Sequence, residues 1–275
     1  MAERQDIQLI IHADDVGMAP SVDRATFRAI EAGHVTSASV MVPCPSFAEV
    51  VAWAVAHPAA DLGLHLTFTS DAWARPGWGP LSDPDLVPSL VRPDGAFWPD
   101  ADAFRAHARP EEVEIEAVAQ ISAAIAAGLR PTHLDSHMFA LGRSTAMAAV
   151  LRRVSGRFRI PRLDILRRPA APGDPLAPAF AKVILLDLAN EPPGDHVAWA
   201  RRALDPCRPG LNELIVHCAE ADDGLRALMG GPGPFRAEAR QRDVDLLTSD
   251  AFAAELAARE IRLVSWRELQ LKIAD

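Results

Sequence analysis

Short apolar runs alternate with longer amphipathic stretches along this chain of 275 residues. The first run, 7–13 (IQLIIHA), contains branched aliphatic residues in succession and predicts a buried strand. The stretch 20–33 begins with Pro-Ser, carries apolar residues on one side and ends at Gly33, as a helix does. Further strands are predicted at 35–43, 61–69, 131–139, 159–166, 210–220 and 261–266, and further helices at 46–57, 111–128, 144–155 and 235–259.

This alternation of strands and helices predicts an α/β fold with a mostly parallel sheet. No linker or repeat interrupts it, so we expect a single domain over residues 1–275. A (β/α) barrel is favoured over an open sheet, because no Gly-rich phosphate-binding turn follows the first strand. The segment of about 70–110 is rich in Trp, Pro, Gly and Asp and predicts an irregular insertion that forms a lid or substrate wall.

The charge balance excludes some classes of partner. Lys and Arg total 28 against 37 Asp and Glu, which gives a net charge of −9. An acidic chain is a poor match for a nucleic-acid backbone or an anionic membrane surface. No apolar run is long enough to span a membrane, and three dispersed cysteines predict no disulfide framework. We expect a cytoplasmic enzyme with buried cysteines and a small-molecule substrate, and a homodimer is left open.

Ligand-type side chains stand at the ends of four predicted strands: the pair Asp14–Asp15, His65, the segment from His133 to His137, and His217. Active sites of barrels lie at the carboxyl ends of their strands. Within the third group, residues two apart share one face, and several ionisable groups on one inner face are costly without a compensating cation. The coincidence at four strand ends therefore predicts a divalent-metal site.

Two imidazoles and one carboxylate form a common open metal site. His65, His137 and one of the two aspartates are the candidate ligands, and the other aspartate is then free to act as general base. Taken alone, the aspartate pair also fits a solvated turn, and His133 also fits a hydrogen bond inside the barrel. These residue types suit zinc, manganese, cobalt or iron, whereas magnesium usually prefers oxygen ligands.

Other aromatic and histidine residues are assigned less specific roles. Trp73, Trp78 and Trp98 either pack a lid or stack on sugar rings, and both interpretations stay open. The remaining histidines are expected to be ordinary surface or turn residues: His12, His34, His57, His107 and His196.

Five segments resemble motifs of the YdjC-like carbohydrate deacetylases, the group that includes chito-oligosaccharide and hopanoid-associated deacetylases. They are HADDVG, GLHLTFT, PTHLDSHMF, ELIVH and RQRDVDLLTS, and the resemblance spans about residues 7–265. This chain departs from the family pattern at His12, where Asn is usual, at Val16 and at Met138–Phe139. Its His217 is followed by Cys-Ala where the family has Pro-Gly.

The resemblance implies a distorted TIM-like (β/α) barrel. It also implies a hydrolase that removes acetyl groups from N-acetylated sugars with a divalent metal ion, Mg²⁺ or Zn²⁺. It implies that Asp15, His65 and His137 hold the metal, that Asp14 is the base, and that His217 is the acid or a transition-state stabiliser. His133, Asp135 and Trp78 are the predicted substrate contacts. The alternatives are a hydrolase of another amide or ester bond and a catalytically silent sugar-binding barrel.

Overall fold

A parallel β-sheet forms the centre of the computed structural model, which describes residues 6–74, 77–165 and 174–274. The strands of this part of the chain are β1 (Ile7–Val16), β2 (Ser37–Val40), β3 (Leu62–Leu66), β4 (Leu134–Ser136), β5 (Lys182–Leu185), β6 (Gly210–Val216) and β7 (Arg262–Leu263). Their order is β4-β3-β2-β1-β6-β5, and β7 pairs with the first part of β1. All of the pairings are parallel, as the alternating pattern predicts.

Helices cover the outside of this sheet. They are α1 (Pro20–Glu31), α2 (Phe47–Ala56), α3 (Ala101–His107), α4 (Pro110–Ala126), α5 (Thr145–Phe158), α6 (His196–Leu204), α7 (Asp223–Met229), α8 (Ala237–Leu247), α9 (Asp250–Ala258) and α10 (Trp266–Ala274). Within the described residues, no helix is both long enough and apolar enough to cross a lipid bilayer. The α/β fold with a distorted TIM-like barrel is confirmed.

The sheet curls into a partial barrel with two distinct faces. Leu9 and Ile11 of β1 belong to the large core beneath the helices, whereas Ile10 packs inside with Ile215 and Trp266. Side chains alternate along a strand, so residues 12 and 14 follow Ile10 toward the interior. The barrel interior is therefore apolar at its base and polar toward the carboxyl ends of the strands, where the candidate site lies.

Several predicted elements differ from the observed ones. The run 131–139 forms only the short strand β4, because a left-handed turn at Met138 and Phe139 ends it. In the run 159–166, Arg162 makes an isolated bridge to Leu134 and no strand forms over 159–165; residue 166 lies outside the described residues. The stretch 235–259 is divided between α8 and α9, and Ser249 caps the start of the second helix.

The insertion predicted over about 70–110 is more regular than expected. It contains α3 and two single-turn 3₁₀ helices, Pro84–Leu86 and Pro88–Leu90. The Trp78 indole is 7% exposed and donates to the carbonyl of Thr69 at 2.7 Å. Trp98 stacks on His107 with ring centroids 3.8 Å apart. These contacts favour packing of the segment over stacking of Trp78 or Trp98 on a sugar.

Candidate metal centre and active site

The turn after β1 brings two adjacent carboxylates to one place. In an extended strand the side chains of Asp14 and Asp15 would point to opposite faces. Asp15 instead has a φ of +69°, and the pairing register of β1 with β2 shifts between Ala13 and Val16. Aspartate tolerates this left-handed conformation better than most residues. Both carboxylates therefore face the interior at the carboxyl end of the sheet.

Asp15 lies between two histidines from other strand ends. Its Oδ1 atom is 3.0 Å from His137 Nδ1 and 3.4 Å from His65 Nε2. One possible ligand atom from each of the three residues lies within 4.8 Å of the other two. Ligands that share an ion at bond lengths of about 2.1 Å are themselves separated by roughly 3 to 3.5 Å. The sequence-predicted metal set is thus brought together at the spacing a cation requires.

The charges around this set also suit a cation. Burial opposes ionisation of Asp15, but the charges of Arg240 and His137 outweigh it and hold the pKa of Asp15 well below its usual value. Arg240 Nη2 lies 2.6 Å from Asp15 Oδ2, which leaves Oδ1 facing the histidines. Burial opposes protonation of His137, yet Asp15 and Asp71 raise its pKa to about 9. Asp15 and Asp71 therefore favour a positive charge at His137, and a divalent ion bound between these groups can supply that charge instead of a proton.

Two of the three candidate ligand groups have an unsatisfied atom. Asp15 Oδ1 and His65 Nε2 are buried and lie 3.4 Å apart, and neither makes a hydrogen bond of good geometry despite its charged neighbours. His65 presents this nitrogen toward Asp15 because its other nitrogen, Nδ1, is 2.7 Å from Asp135 Oδ1. A carboxylate behind a histidine fixes the ring and its tautomer in many metal sites. The residues present fit a divalent metal ion.

Asp14 and His217 complete the polar cluster. Asp14 Oδ2 lies 3.8 Å from His65 Nε2 and 3.8 Å from His217 Nε2. Burial lowers the pKa of His217 to about 4. The backbone N–H of His217 donates to Asp243 at 2.8 Å, which fixes the chain just after β6. The five residues predicted to carry chemistry therefore lie around one point.

A cavity of about 290 Å³ opens above this cluster. Its polar floor includes Asp14, Asp15, His137 and His217. Its apolar wall is formed by Met138, Phe139, Leu185 and Phe235, and its acidic side by Asp71, Asp100 and Asp102. The volume lies near the lower end of the range for small-ligand sites.

Backbone strain is concentrated around this cavity. Besides Asp15, its lining residues Met138, Phe139 and Phe235 have φ values of +52°, +51° and +58°. Such conformations cost about 1 to 3 kcal/mol each and cluster at functional sites. Met138 and Phe139, the two consecutive left-handed residues, follow His137 directly, so the chain turns along the cavity wall immediately after this histidine.

The three predicted substrate contacts do not line this cavity. Asp135 lies behind His65, and Trp78 packs inside the insertion. His133 is fully buried and stacks on Trp266 at a centroid distance of 4.6 Å. Their surroundings suit support of the site rather than contact with a ligand, because other side chains separate them from the opening.

Sequence reasoning also misassigned His12 and gave no role to Arg240. His12 is fully buried at the centre of the polar interior, so its assignment as a surface or turn residue is wrong. The burial of His12 could have been predicted from the alternation of side chains along β1, because residue 12 shares the inward face with Ile10 and Asp14. Arg240 lies in the segment RQRDVDLLTS, far along the chain from its partner Asp15. The cysteines, by contrast, are buried as predicted.

Comparison with known proteins agrees with the motif resemblance. A family model described as "YdjC-like protein" matches residues 8–258. A carbohydrate deacetylase of Geobacillus stearothermophilus is 29% identical over 262 residues, which cover 94% of this chain and 96% of that protein. A carbohydrate deacetylase of Thermus thermophilus is 30% identical over 272 residues, with coverage of 95% and 93%.

Solved structures share the fold. The crystal structure of a "putative cellobiose-phosphate cleavage protein" from Enterococcus faecalis V583 has a TM-score of 0.79 and 27% identity, and the match covers 96% of this chain and 99% of that one. The Xyl-CE4 domain of a multidomain xylanase from the hindgut metagenome of Trinervitermes trinervoides has a TM-score of 0.50 at 11% identity and shows likeness of fold alone. On motifs, fold and the match over residues 8–258, this chain belongs to the YdjC-like protein family.

Proposed function

We propose that this chain is a metal-dependent hydrolase that removes the acetyl group from an N-acetylated sugar. The observation that carries the proposal is the convergence of Asp15, His65 and His137 beneath a cavity that Asp14 and His217 also line. Relatives aligned over nearly the whole chain are named carbohydrate deacetylases, and this supports the substrate class.

Asp15, His65 and His137 are the residues that would hold the ion. A divalent cation at such a site polarises a carbonyl group and lowers the pKa of a water molecule. Two imidazoles and one carboxylate suit Zn²⁺, and the family resemblance supports Mg²⁺ as a second candidate. Arg240 keeps Asp15 ionised and Asp135 keeps the free nitrogen of His65 directed at the site.

Asp14 is the proposed general base. Its Oδ2 atom faces His65 and His217 and stands beside the metal ligands without being held by Arg240. A carboxylate there can take the proton of a water molecule as that water attacks the amide carbon. The same proton is then available for the amine that leaves when the carbon–nitrogen bond breaks.

His217 is the proposed transition-state stabiliser. Burial lowers its pKa to about 4, so its imidazole is neutral at pH 7. A neutral imidazole has one N–H group, which donates a hydrogen bond to negative charge that develops on the substrate. This role, rather than proton donation from an imidazolium, is the one that its burial supports.

The charge of the cavity limits the substrate further. Five aspartates line it, Asp14, Asp15, Asp71, Asp100 and Asp102, against two arginines, Arg143 and Arg240. Arg240 is paired with Asp15, and Arg143 donates to the carbonyl of Met138, so negative charge is in excess. Like charges repel in a partly desolvated cavity. A neutral acetylated sugar therefore fits the site better than a phosphorylated one.

Acetate release tests this function directly. The protein is stripped with a chelator, reloaded with Zn²⁺ or Mg²⁺, and incubated with N-acetylglucosamine oligomers and a panel of other acetylated sugars. We expect acetate only after reloading. Metal binding without acetate from any sugar would favour hydrolysis of another bond, and absence of both would favour a sugar-binding barrel.

A further inference from the structure

His12 occupies the centre of the polar interior beneath the metal ligands. Its side chain is fully buried and points inward from β1, two residues before Asp14. The Nε2 atom is 3.0 Å from Ser39 Oγ, 3.0 Å from Asp135 Oδ2 and 3.2 Å from Asp14 Oδ1. One ring nitrogen therefore touches both the proposed base and the carboxylate behind a metal-ligating histidine.

The two carboxylates use their oxygens in the same way. Asp14 turns Oδ1 toward His12 and Oδ2 toward the site, where His65 and His217 lie 3.8 Å away. Asp135 turns Oδ2 toward His12 and Oδ1 toward His65 Nδ1, at 2.7 Å. Rotation of either carboxylate away from His12 would also move the oxygen that serves the site.

We propose that His12 is a positioning residue that sets the orientation of Asp14 and, through Asp135, of His65. The part of this inference that concerns Asp14 rests on the proposed hydrolase function. His12 does not line the proposed substrate cavity. Its polar contacts among the described residues are with Ser39, Asp14, Asp135 and Glu213, none of which is a proposed metal ligand. It acts through the two carboxylates.

The surrounding charge supports a protonated His12. A third carboxylate approaches its other nitrogen, since Glu213 Oε1 lies 3.9 Å from Nδ1 and also accepts a hydrogen bond from Trp266 at 2.8 Å. Burial opposes protonation of His12, but Asp135 and Asp14 outweigh it and raise its pKa to about 10. An imidazolium can donate from both nitrogens and compensates part of the buried negative charge.

Two substitutions separate positioning from space filling. In His12→Gln, the amide nitrogen reaches roughly the place of Nε2 and keeps a donor for Asp14 and Asp135. In His12→Leu, a side chain of comparable bulk has no donor. Supporting residues behind metal ligands typically contribute about 10- to 100-fold to activity or metal affinity.

The first experiment measures steady-state acetate release from N-acetylglucosamine oligomers with Zn²⁺ bound. We expect kcat to fall about 10- to 100-fold in His12→Leu, with KM within about threefold, and to fall less than about tenfold in His12→Gln. His34→Asn, on a half-buried histidine after α1, is the control and should match the original chain. Equal kcat in the Leu variant and the original chain would overturn the inference.

The second experiment uses Zn²⁺ alone and needs no substrate. Titration of the metal-free protein should show affinity about tenfold weaker in His12→Leu than in the original chain, and within about threefold in His12→Gln. If the original chain binds Zn²⁺ but releases no acetate, the proposed function fails while this affinity pattern still supports the orientation of His65.

Three results would count against His12 as a positioning residue. One is unchanged Zn²⁺ affinity in a folded His12→Leu protein. Another is a His12→Gln variant whose kcat falls as far as that of His12→Leu. If His12→Leu does not fold, a fall in kcat of more than about 100-fold in His12→Gln would count against the inference in the same way. The third concerns His12, His133 and Asp135, which also lie close enough to share an ion. Two bound Zn²⁺ ions, reduced to one by His12→Gln, would make His12 a ligand instead.

Discussion

The left-handed turn at Asp15 gives two neighbouring carboxylates different tasks. Asp15 is held between Arg240 and two histidines, whereas Asp14 is oriented by His12 and keeps one oxygen at the site. A strand that continued unbroken would have placed one of the two carboxylates in the outer core. The backbone conformation of a single residue thus places the proposed metal ligand and the proposed base side by side in one dipeptide.

Asp14→Asn tests this division of tasks. The amide has nearly the same shape but cannot accept a proton from water, so we expect kcat for acetate release to fall about 10²- to 10⁴-fold. Metal content, measured by elemental analysis, should stay at the level of the original chain, because Asp15, His65 and His137 are intact. Near-full activity of the Asn variant would show that another group is the base.

At the residue scale, the sequence was sufficient to predict the members of the candidate site where ligand-type residues stood at strand ends. It placed Asp14, Asp15, His65, His137 and His217 at the carboxyl edge of a parallel sheet, and the structure brings them together. His12 was missed because it stands within an apolar run and, apart from Asp14, its partners are far away in the sequence. Ser39, Asp135 and Glu213 come from other strands, and only the fold shows that they surround it.

At the element scale, the close packing of β3 against the His133 ring depends on the lack of a side chain at Gly63. A Cβ atom at this position would lie 2.3 Å from His133 Cε1, and the His133 ring is already stacked on Trp266. We expect Gly63→Ala to lower the free energy of unfolding by about 1 to 3 kcal/mol, since overpacking of a filled interior forces side chains out of place. Denaturant unfolding followed by circular dichroism measures the change.

Gly156 in α5 provides the control for that substitution. No atom lies within 4 Å of the place where its Cβ would be. Gly156→Ala should raise the free energy of unfolding by about 0.5 to 1 kcal/mol, because alanine favours the helix over glycine. If Gly63→Ala were as stable as Gly156→Ala, the contact of β3 with His133 would not limit the packing.

Elements were predictable where one periodicity ran long enough. The pattern located β1, β3, α1 and α4 to within a few residues. It placed no helix at α6, α7 or α10, because these are only 9, 7 and 9 residues long and lie where the pattern was mixed or not assigned. Short elements are fixed by tertiary contacts, such as the burial of Trp199 in the large core, rather than by local periodicity.

At the scale of the whole molecule, buried carboxyl groups link stability to pH. Burial raises the pKa of Asp23 to about 7 from 3.8, that of Glu213 to about 7 from 4.5 and that of Asp243 to about 8 from 3.8. Between about pH 4 and pH 7 these three carboxyl groups therefore hold more protons in the folded protein than in the unfolded chain. Their contribution to the free energy of unfolding should fall as pH rises through this window.

Asp23→Asn isolates one of these groups. Asp23 accepts a hydrogen bond from the backbone N–H of Gly17 at 2.6 Å, and an amide oxygen can keep that bond without ionising. Urea unfolding at a series of pH values should show a shallower loss of stability between pH 4 and pH 7 in this variant. An unchanged slope would mean that Asp23 ionises in the folded protein as readily as in the unfolded chain.

Metal binding should stabilise the whole molecule, because an ion that binds only the folded state shifts the unfolding equilibrium. At a free Zn²⁺ concentration 100 times the dissociation constant the gain is about 2.7 kcal/mol. We therefore expect Zn²⁺ to raise the Tm of the metal-free protein by several degrees in differential scanning calorimetry and a chelator to reverse the rise.

His137→Ala removes one proposed ligand and should lose both this shift and acetate release, whereas His34→Ala should keep both. The His137 ring contributes a second, separate effect, because its Nε2 atom is also 2.9 Å from Asp71. The metal-free variant can therefore differ in Tm from the metal-free original, and the informative quantity is the change in Tm that Zn²⁺ causes within each protein. An equal Zn²⁺-induced rise in His137→Ala would place the ion elsewhere and remove the basis for the proposed hydrolase.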